Sequence, residues 1–410
     1  MEQVGKRERG VSLFDPIALR GVTIANRIVK SAMAEGAADA DGRPSDRLCR
    51  MYGRWARGGV GLAITGMAHI RPGFSYTGRE IGLYDDSLVA PLRRLTAASH
   101  DDGGRIFAQL CHAPPQLPRA KAKRLGAVAP SGGFCRTNLL WNRALDDDEL
   151  SALTRDFGLA AGRAREAGFD GVQLHAAHGY LLSRTLSPRD NRRRDRWGGS
   201  FDGRLTFLRE TVLAVRAAVG DDFPVLVKLN AHDGVRGGLD EETSLRVGKR
   251  LETWGVDAIE VSAGIGDVGL GCYPNKGGIP RQSGKRWLGQ EFPFIRPLLP
   301  AVGPILDAVG RSVALREEAY FYSHARRFAD ALDIPIISVG GIRSLDVAQR
   351  IVAQSRVAMV SLARPLVRQP SLPRLWQQGR SRTAQCASCN ECFVHLGLDE
   401  VLRCWNADAR

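Results

Sequence analysis

Three side chains that could perform acid–base or carbonyl-binding chemistry lie close together near the middle of the sequence. His175, His178 and Tyr180 end or follow a short apolar run, residues 171–175 (GVQLH). Two histidines three residues apart can turn toward one point, where they could bind a metal ion or donate hydrogen bonds to a carbonyl oxygen. A nearby tyrosine is a candidate proton donor. The spacing therefore indicates either a metal site or a site that polarises a carbonyl group.

The cysteines form a second candidate site. Of the eight cysteines, four lie in the last 25 residues: Cys386, Cys389, Cys392 and Cys404. A disulfide framework would be distributed through a short secreted chain, and zinc modules mostly present separated pairs of cysteines. Three cysteines at successive two-residue intervals, followed by a distant fourth, are more typical of a cubane iron–sulfur cluster. We predict a [4Fe–4S] cluster here, with structural zinc or an unmetallated tail as the alternatives.

The elements that must position these residues alternate regularly along the chain. Eight short, nearly continuous apolar runs are separated by longer amphipathic stretches, as expected for strands covered on both faces. The runs are residues 28–33, 60–66, 105–110, 171–175, 224–230, 258–264, 335–340 and 357–363. This order predicts an α/β fold, a (β/α)8 TIM barrel. We assign residues 1–375 to the barrel and residues 376–410 to a short cysteine-rich extension.

Two connections are longer than ordinary strand-to-helix loops. Residues 111–146 and 265–315 follow predicted strands and are rich in glycine and proline. Loops at the carboxyl ends of barrel strands shape substrate pockets. We therefore expect both segments to border the active site.

A long segment of the chain resembles a known enzyme family. Residues 167–204 (AGFDGVQLHAAHGYLLSRTLSPRDNRRRDRWGGSFDGR) resemble the signature of the old yellow enzyme family, the NADH:flavin oxidoreductases. Further similar segments occur in order at residues 13–35, 103–112, 339–344 and 361–379. The resemblance implies an FMN-containing barrel that takes hydride from NAD(P)H. The resemblance also implies that the enzyme passes this hydride to the C=C bond of an α,β-unsaturated carbonyl compound.

The resemblance also implies which residues hold the flavin. Gln109 would bind the pyrimidine edge, and Lys228 would stabilise the anionic reduced flavin near N1. The remaining positions implied by the family are those around the ring, Ser31, Ala32, Met33 and Gly66, and those around the phosphate, Gly340, Gly341, Ala363 and Arg364.

The catalytic roles implied by the resemblance fall on the residues already singled out. His175 and His178 would bind the substrate carbonyl oxygen, and Tyr180 would protonate the α carbon. A metal ion at the histidines is then the minor alternative. The sequence departs from the family at Ala32, Ala34 and residues 112–116, so flavin reactivity is expected to differ from that of typical members.

The cysteine tail resembles that of the 2,4-dienoyl-CoA reductase and trimethylamine dehydrogenase branch of the family, where the cysteines hold a [4Fe–4S] cluster beside FMN. That branch separates its second and third cysteines by three residues, whereas two separate Cys389 from Cys392. It usually continues into nucleotide-binding domains, whereas six residues follow Cys404 in this sequence. We expect NAD(P)H to reduce the FMN directly or a separate reductase to bind near the tail.

Three functions follow from these patterns. The first is an ene-reductase that acts on a small unsaturated carbonyl compound. The second is a flavin and iron–sulfur dehydrogenase that oxidises its substrate and passes electrons to a separate partner. The third is a non-catalytic barrel with a metal-binding tail, against which the intact set of His175, His178 and Tyr180 argues.

Charge and hydropathy exclude some partners. Lys and Arg outnumber Asp and Glu by 58 to 44, a net charge of +14. Such an excess suits nucleic acid or a phosphate-bearing ligand, but the arginines are scattered and no nucleic-acid module occurs. No run approaches the ~18 apolar residues of a membrane span, and the first fifteen residues lack the apolar segment of a secretory signal. We expect a cytoplasmic protein that binds neither nucleic acid nor membrane, and we consider a homo-oligomer.

Overall fold

The eight apolar runs form the strands of a closed parallel barrel in a computed structural model, which describes residues 10–266, 281–298, 317–398 and 400–406. The strands of the described residues are β1 Ile17–Leu19, β2 Val22–Ile24, β3 Ile28–Lys30, β4 Leu62–His69, β5 Arg105–Cys111, β6 Val128–Ala129, β7 Gly133–Cys135, β8 Leu140–Ala144, β9 Gly171–Ala176, β10 Val225–Asn230, β11 Ala258–Ser262, β12 Ile336–Val339 and β13 Met359–Leu362. The barrel order is β3-β4-β5-β9-β10-β11-β12-β13, closed by pairing of β13 with β3. The predicted fold class is confirmed.

Helices follow the barrel strands and cover their outer faces. Those of the described residues are α1 Asp46–Arg57, α2 Val89–His100, α3 Arg119–Leu125, α4 Asp147–Glu166, α5 Leu181–Leu186, α6 Phe201–Val219, α7 Glu241–Thr253, α8 Arg281–Glu291, α9 Tyr322–Ala331, α10 Leu345–Gln354, α11 Arg364–Arg368, α12 Leu372–Gln377 and α13 Glu391–Gly397. The longest, α4, begins with a capping box in which the Asp146 carboxylate accepts from the Glu149 amide and the Glu149 carboxylate accepts in return. No helix in the described ranges is both long and apolar enough to span a bilayer.

The apolar core has two layers. Inward-facing side chains such as Ile64, Phe107 and Leu226 fill the barrel, and the β1–β2 hairpin packs Leu19 and Ile24 against them. A larger layer lies between the strands and the helices. These side chains fill the barrel interior, so a cavity can open only at the carboxyl ends of the strands.

The long connection at residues 111–146 has structure of its own. It contains α3 and a small sheet in which β8 pairs with β6 and β7. We predicted this segment only as a loop, so its three short strands are a correction. Their alternating exposed and buried residues lack the continuous apolar character that identified the barrel strands. Most of the second long connection, residues 265–315, lies outside the described residues.

The cysteine-rich tail packs against the barrel beyond strand β3 and at the start of helix α10. The amide of Leu402 donates to the carbonyl of Glu35 at 2.8 Å, and Thr383 forms a bridge with Ser344. The tail therefore joins the end of the chain to the loop that follows β3. The division of the chain at residue 375 stays a prediction.

Candidate functional site

A cavity of about 500 Å³ opens among the loops that follow the barrel strands. This is the end of a (β/α)8 barrel at which active sites form, and the volume is in the range of small-molecule sites. All but one of the residues predicted to bind flavin or substrate line this cavity. They are Ser31, Ala32, Met33, Gln109, His175, His178, Tyr180, Lys228, Gly340, Gly341, Ala363 and Arg364.

Lys228 is the cation at the floor of this cavity. The strand register places it beside His175 on β9 and beside Glu260 on β11. Its Nζ donates to Ser31 Oγ at 3.0 Å and lies 3.2 Å from Glu260 Oε2. An ammonium group carries three donor hydrogens. With these two partners, Lys228 has a third donor for a ligand in the cavity that it lines.

A buried chain of hydrogen bonds starts at the Glu260 carboxylate. Ser31 Oγ donates to Oε1 at 2.8 Å and Gln173 Nε2 donates to Oε2 at 2.8 Å. Gln109 Nε2 donates in turn to Gln173 Oε1 at 2.7 Å. Burial acts to raise the pKa of Glu260, but the charge of Lys228 and the hydrogen bonds outweigh it and leave the pKa below its usual value. The carboxylate is therefore ionised and can only accept hydrogen bonds.

The two histidines and the tyrosine form one side of the cavity. The rings of His175 and His178 are nearly perpendicular, with centroids 5.1 Å apart, and the Tyr180 ring lies 4.8 Å from His175. His178 Nε2 lies 2.8 Å from Ser262 Oγ, and the His178 amide donates to Asn230 Oδ1 at 3.2 Å. Ser262 on β11 therefore orients the His178 ring, and Asn230 on β10 holds the His178 backbone.

A sharp turn after β9 brings these side chains together. His178 and Gly179 both have left-handed backbone conformations, with φ of 62° and 82°. A side chain at Gly179 would place its Cβ 2.2 Å from the Gln116 amide nitrogen. That amide donates to the His178 carbonyl. The turn favours glycine at position 179 because of its positive φ, and a Cβ there would also displace the Gln116 side-chain amide.

Both histidines are neutral at physiological pH. Burial, followed by the charge of Lys228, lowers the pKa of His178 to about 3. Burial also lowers the pKa of His175 well below its usual value, with smaller contributions from His178 and Lys228. A neutral imidazole can donate one hydrogen bond. Across the described residues, no three His, Cys, Asp or Glu side chains form a group that could hold a metal ion.

The glycines after β12 line the opposite wall. Gly340 and Gly341 have positive φ values of 114° and 72°. A Cβ at either position would lie 2.7 or 2.5 Å from the ring of Tyr320. Arg343 also lines the cavity and pairs with Glu318 at 3.5 Å. Positive φ angles and close packing therefore both require glycine here.

Gly66 is the predicted flavin residue that does not line the cavity. Its amide donates to Glu35 Oε1 at 3.0 Å, and a Cβ there would lie 2.6 Å from the Met33 carbonyl oxygen. Glu35 pairs with Lys30 at 2.8 Å. Gly66 therefore allows close packing of strand β4 behind the loop that lines the cavity, and its contact with flavin stays a prediction.

The four tail cysteines surround a smaller pocket. Cys386, Cys389, Cys392 and Cys404 all line it, together with Arg364. Burial raises the pKa of the Cys392 thiol to about 12 and also raises that of Cys386, while Arg364 opposes both increases. The structure thus brings together the four cysteines that the spacing singled out.

The two cavities have a common wall. Arg364, Asn390 and Cys392 line both of them, and the Arg364 guanidinium donates to the Asn390 side-chain oxygen. Arg364 begins α11, one residue beyond the end of β13, whereas Asn390 precedes α13 in the tail. The predicted phosphate end of the flavin site is therefore in direct contact with the cysteine site.

Several residues of the site were not predicted from the sequence. Gln173 and Glu260 lie inside apolar strands, and Ser262 and Asn230 end strands β11 and β10. A polar residue inside an otherwise apolar barrel strand is the signal that could have identified Gln173 and Glu260. Asn390 had no such signal, because its position between two cysteines is typical of a connecting loop.

Comparison with known families decides the class of protein. The profile of the NADH:flavin oxidoreductase / NADH oxidase family matches residues 12–264, more than half of the chain. The chain belongs to this family. The predicted resemblance and the class of flavin oxidoreductase are thereby confirmed. The match spans the strand that carries the histidine pair and ends just after β11.

Individual relatives extend the similarity into the tail. An NADH oxidase of Thermoanaerobacter brockii is 34% identical over 381 residues, covering 92% of this chain and 53% of that protein. A 4,4'-dithiodibutanoate disulfide reductase of Rhodococcus erythropolis is 32% identical over 399 residues, covering 96% and 95%. The chain thus spans about half the length of the first relative and nearly all of the second.

A solved structure shares the architecture. The old yellow enzyme homologue from Zymomonas mobilis superposes with a TM-score of 0.69 at 25% identity, covering 91% of this chain and 94% of that one. Membership of an FMN-binding, NADH-using family supports the predicted flavin and NAD(P)H. The roles of individual residues, the iron–sulfur cluster, a partner reductase, a homo-oligomer and a cytoplasmic location stay predictions.

Proposed function

We propose that this chain is an FMN-dependent ene-reductase that uses NAD(P)H to reduce the C=C bond of an α,β-unsaturated carbonyl compound. The observation that carries the proposal is the arrangement around one cavity. Two neutral histidines and a tyrosine lie on one side of the cavity. Lys228 lies at the floor, with its third ammonium hydrogen available to a ligand. Neutral donors suit a carbonyl oxygen, whereas a fixed cation suits an anionic ring.

The residues of the cavity fit FMN. Lys228 and Gln109 offer a cation and an amide at the floor, and Arg364 offers a cation at the far end. Gly340 and Gly341 expose backbone between them, where a Cβ cannot be accommodated. This donor set suits a ligand with an anionic ring at one end and a phosphate at the other. Bound FMN would supply the hydride chemistry.

The substrate would be held by the side chains after β9. His175 and His178 are neutral, so each can donate a ring N–H to the substrate oxygen without carrying a charge into the cavity. His178 is oriented by Ser262. Tyr180, directly beside His175, would hold the proton for the α carbon at its phenolic oxygen.

The first test separates the two half-reactions by replacing Tyr180 with phenylalanine. The purified protein should show a flavin absorption band that NAD(P)H bleaches and an enone restores. In Tyr180→Phe, we expect bleaching within about twofold of wild type and re-oxidation by the enone slowed about a hundredfold or more, the contribution of a positioned proton donor. Stopped-flow absorbance measures both rates.

Tyr84→Phe is the matched control, because Tyr84 donates to the Asp41 carbonyl outside the cavity. It should change neither rate. Equal loss of both half-reactions in Tyr180→Phe would contradict its role as proton donor. A protein that takes up no FMN would contradict the proposed function as a whole.

A second proposal concerns the cysteine pocket, which we infer to hold a [4Fe–4S] cluster that exchanges electrons with the flavin. Four cysteines line one pocket, and three of them follow one another at the two-residue intervals typical of a cubane cluster. The wall that the two cavities have in common supports electron transfer. With such a cluster, the protein could instead oxidise its substrate and pass electrons to a separate reductase.

Metal analysis tests this second proposal. Anaerobically purified protein should contain about four irons and four acid-labile sulfides per chain. Cys389→Ser should lose most of the iron, whereas Cys49→Ser, in helix α1, should retain it. One zinc without sulfide, or no metal at all, would contradict the cluster. Flavin that a substrate bleaches but NAD(P)H does not would favour the dehydrogenase over the ene-reductase.

A further inference from the structure

Glu260 is a buried carboxylate that the proposed chemistry does not use. It lies in the middle of β11 with no exposed surface and pairs with Lys228 through the strand register. Charges of this kind are costly to bury, and a buried pair is often no more stabilising than apolar residues of the same volume. Stability alone therefore gives little reason for this pair at the floor of the cavity.

We propose that Glu260 is a positioning residue that keeps the reduction potential of the bound flavin lower than Lys228 alone would set. The inference rests on the proposed function, because it requires FMN above Lys228. The cation favours the anionic reduced flavin. A carboxylate 3.2 Å from Nζ compensates most of this charge, so the flavin faces a neutral pair rather than a free cation.

The same carboxylate sets the direction of the hydrogen bonds that lead to the flavin site. An ionised carboxylate only accepts, so Gln173 must present its NH₂ group to Glu260 and its oxygen to Gln109. Gln109 then donates one of its own N–H groups to Gln173, and its side-chain oxygen stays available as an acceptor. Ser31 is fixed in the same way, because it donates to Glu260 while it accepts from Lys228.

Glu260→Gln should therefore shift the flavin potential to a more positive value. The variant keeps the shape of the side chain but leaves the charge of Lys228 uncompensated. We expect at least a tenfold stabilisation of reduced over oxidised flavin, which is about 30 mV for a two-electron couple. The measurement is a redox titration of the flavin absorbance against a dye of known potential. Glu260→Asp, which retains the charge, should return the potential toward that of wild type.

A double-variant cycle tests whether Glu260 acts through Lys228. In a Lys228→Met background the buried Glu260 carboxyl loses its cation and takes up a proton, so the further change Glu260→Gln should alter the ratio of reduced to oxidised flavin by less than about threefold, or about 15 mV. The double variant also tests the proposal if Glu260→Gln alone does not fold, because it again contains two uncharged side chains. An equal shift in both backgrounds would overturn the proposal.

The outcomes distinguish this inference from the function on which it rests. A wild-type protein that binds no FMN overturns both. Flavin that is bound and reduced normally, with the same potential in wild type and Glu260→Gln, overturns only the role of Glu260. A potential that falls in Glu260→Gln would also contradict it, because the sign is fixed by the charge that is removed.

Discussion

Among the residues that the structure describes, two lysine–glutamate pairs are buried in the barrel, Lys30–Glu35 and Lys228–Glu260. They differ in how many hydrogen-bond donors the lysine has left for a ligand. Lys30 Nζ donates to Glu35 at 2.8 Å, to Tyr52 Oη at 3.2 Å and to the Ile64 carbonyl at 3.0 Å. All three of its donor hydrogens therefore have acceptors.

Lys228 reaches two partners and lines the cavity with its third donor, whereas neither Lys30 nor Glu35 lines it. The Lys30–Glu35 pair thus has all its lysine hydrogen bonds within the wall, whereas the Lys228–Glu260 pair leaves one lysine donor for a ligand. The comparison teaches that a buried charged group indicates a binding site only where the protein leaves one of its hydrogen-bond donors without an acceptor. Three experiments test the distinction.

The largest effect is expected for Lys30→Met. It leaves the Glu35 carboxylate buried without its cation, and breaking a buried pair in this way costs about 3–5 kcal/mol of folding stability. Urea unfolding followed by far-ultraviolet circular dichroism measures the loss. The flavin potential of the folded variant should stay close to that of wild type.

Lys249→Met is the control for this variant, because Lys249 is exposed on helix α7. It should change the unfolding free energy by less than about 0.5 kcal/mol. If Lys30→Met were as mild as Lys249→Met, the complete pair would not be structural and the contrast between the two pairs would fail.

Lys228→Met breaks a pair of the same kind, but Lys228 makes two contacts within the wall where Lys30 makes three, so we expect a cost at the lower end of that range, about 3 kcal/mol near neutral pH. The effect should depend on pH. In wild type the depressed pKa of Glu260 contributes stability above its unfolded pKa, and this is lost as the pH falls through the folded value.

In the variant the charge of Lys228 no longer opposes burial, the largest influence on Glu260, so we expect the folded pKa to rise above the unfolded one despite the remaining hydrogen bonds. Stability is then gained as the pH falls. Urea unfolding from pH 8 to pH 5 should show the two proteins converging toward acid pH. Parallel curves would mean that Lys228 does not control the charge of Glu260.

The smallest effect concerns the histidines beside Lys228. The pKa of His178 is about 3 in the folded protein, against about 6.5 for a histidine in an unfolded chain. The unfolded state therefore binds protons that the folded state does not, and stability falls as the pH drops from about 6.5 toward 3. Each such histidine contributes up to about 1.4 kcal/mol per pH unit.

His178→Asn should remove one of these contributions while keeping a neutral donor at the cavity. The pH dependence of its unfolding free energy between pH 6 and pH 4.5 should be shallower than that of wild type by about 1 kcal/mol per unit. An unchanged slope would show that His178 is already protonated in the folded protein, which would remove the neutral donor from the proposed site.

The sequence predicts the barrel strands and the ends of the strands better than it predicts their interiors. Apolar runs identify all eight barrel strands because both faces are covered, and His175 ends one of those runs, whereas Lys228 and Gly340 are implied by the family resemblance. The partner of Ser31 could not be predicted in this way. Glu260 lies 229 positions away, and only closure of the barrel brings the two side chains together.

Charged residues inside strands carry no local sign of which layer they face. Lys30 and Glu260 each interrupt an apolar run, yet one points into the wall and the other toward the floor of the cavity. Gly66 shows the same limit. It ends an apolar run, and its amide donates to the buried Glu35 carboxylate, a contact that the run does not reveal.

Closure of the barrel between β13 and β3 has a consequence for how the protein is made. The Ser31 amide donates to the Leu362 carbonyl, and the Glu35 carbonyl accepts from Leu402, so segments far apart in the sequence together complete one wall. A nascent chain that has not yet released residue 362 from the ribosome therefore has no finished cavity. A ligand can bind there only after both segments have been synthesised, and until then the half-built barrel must be kept from aggregating without its help.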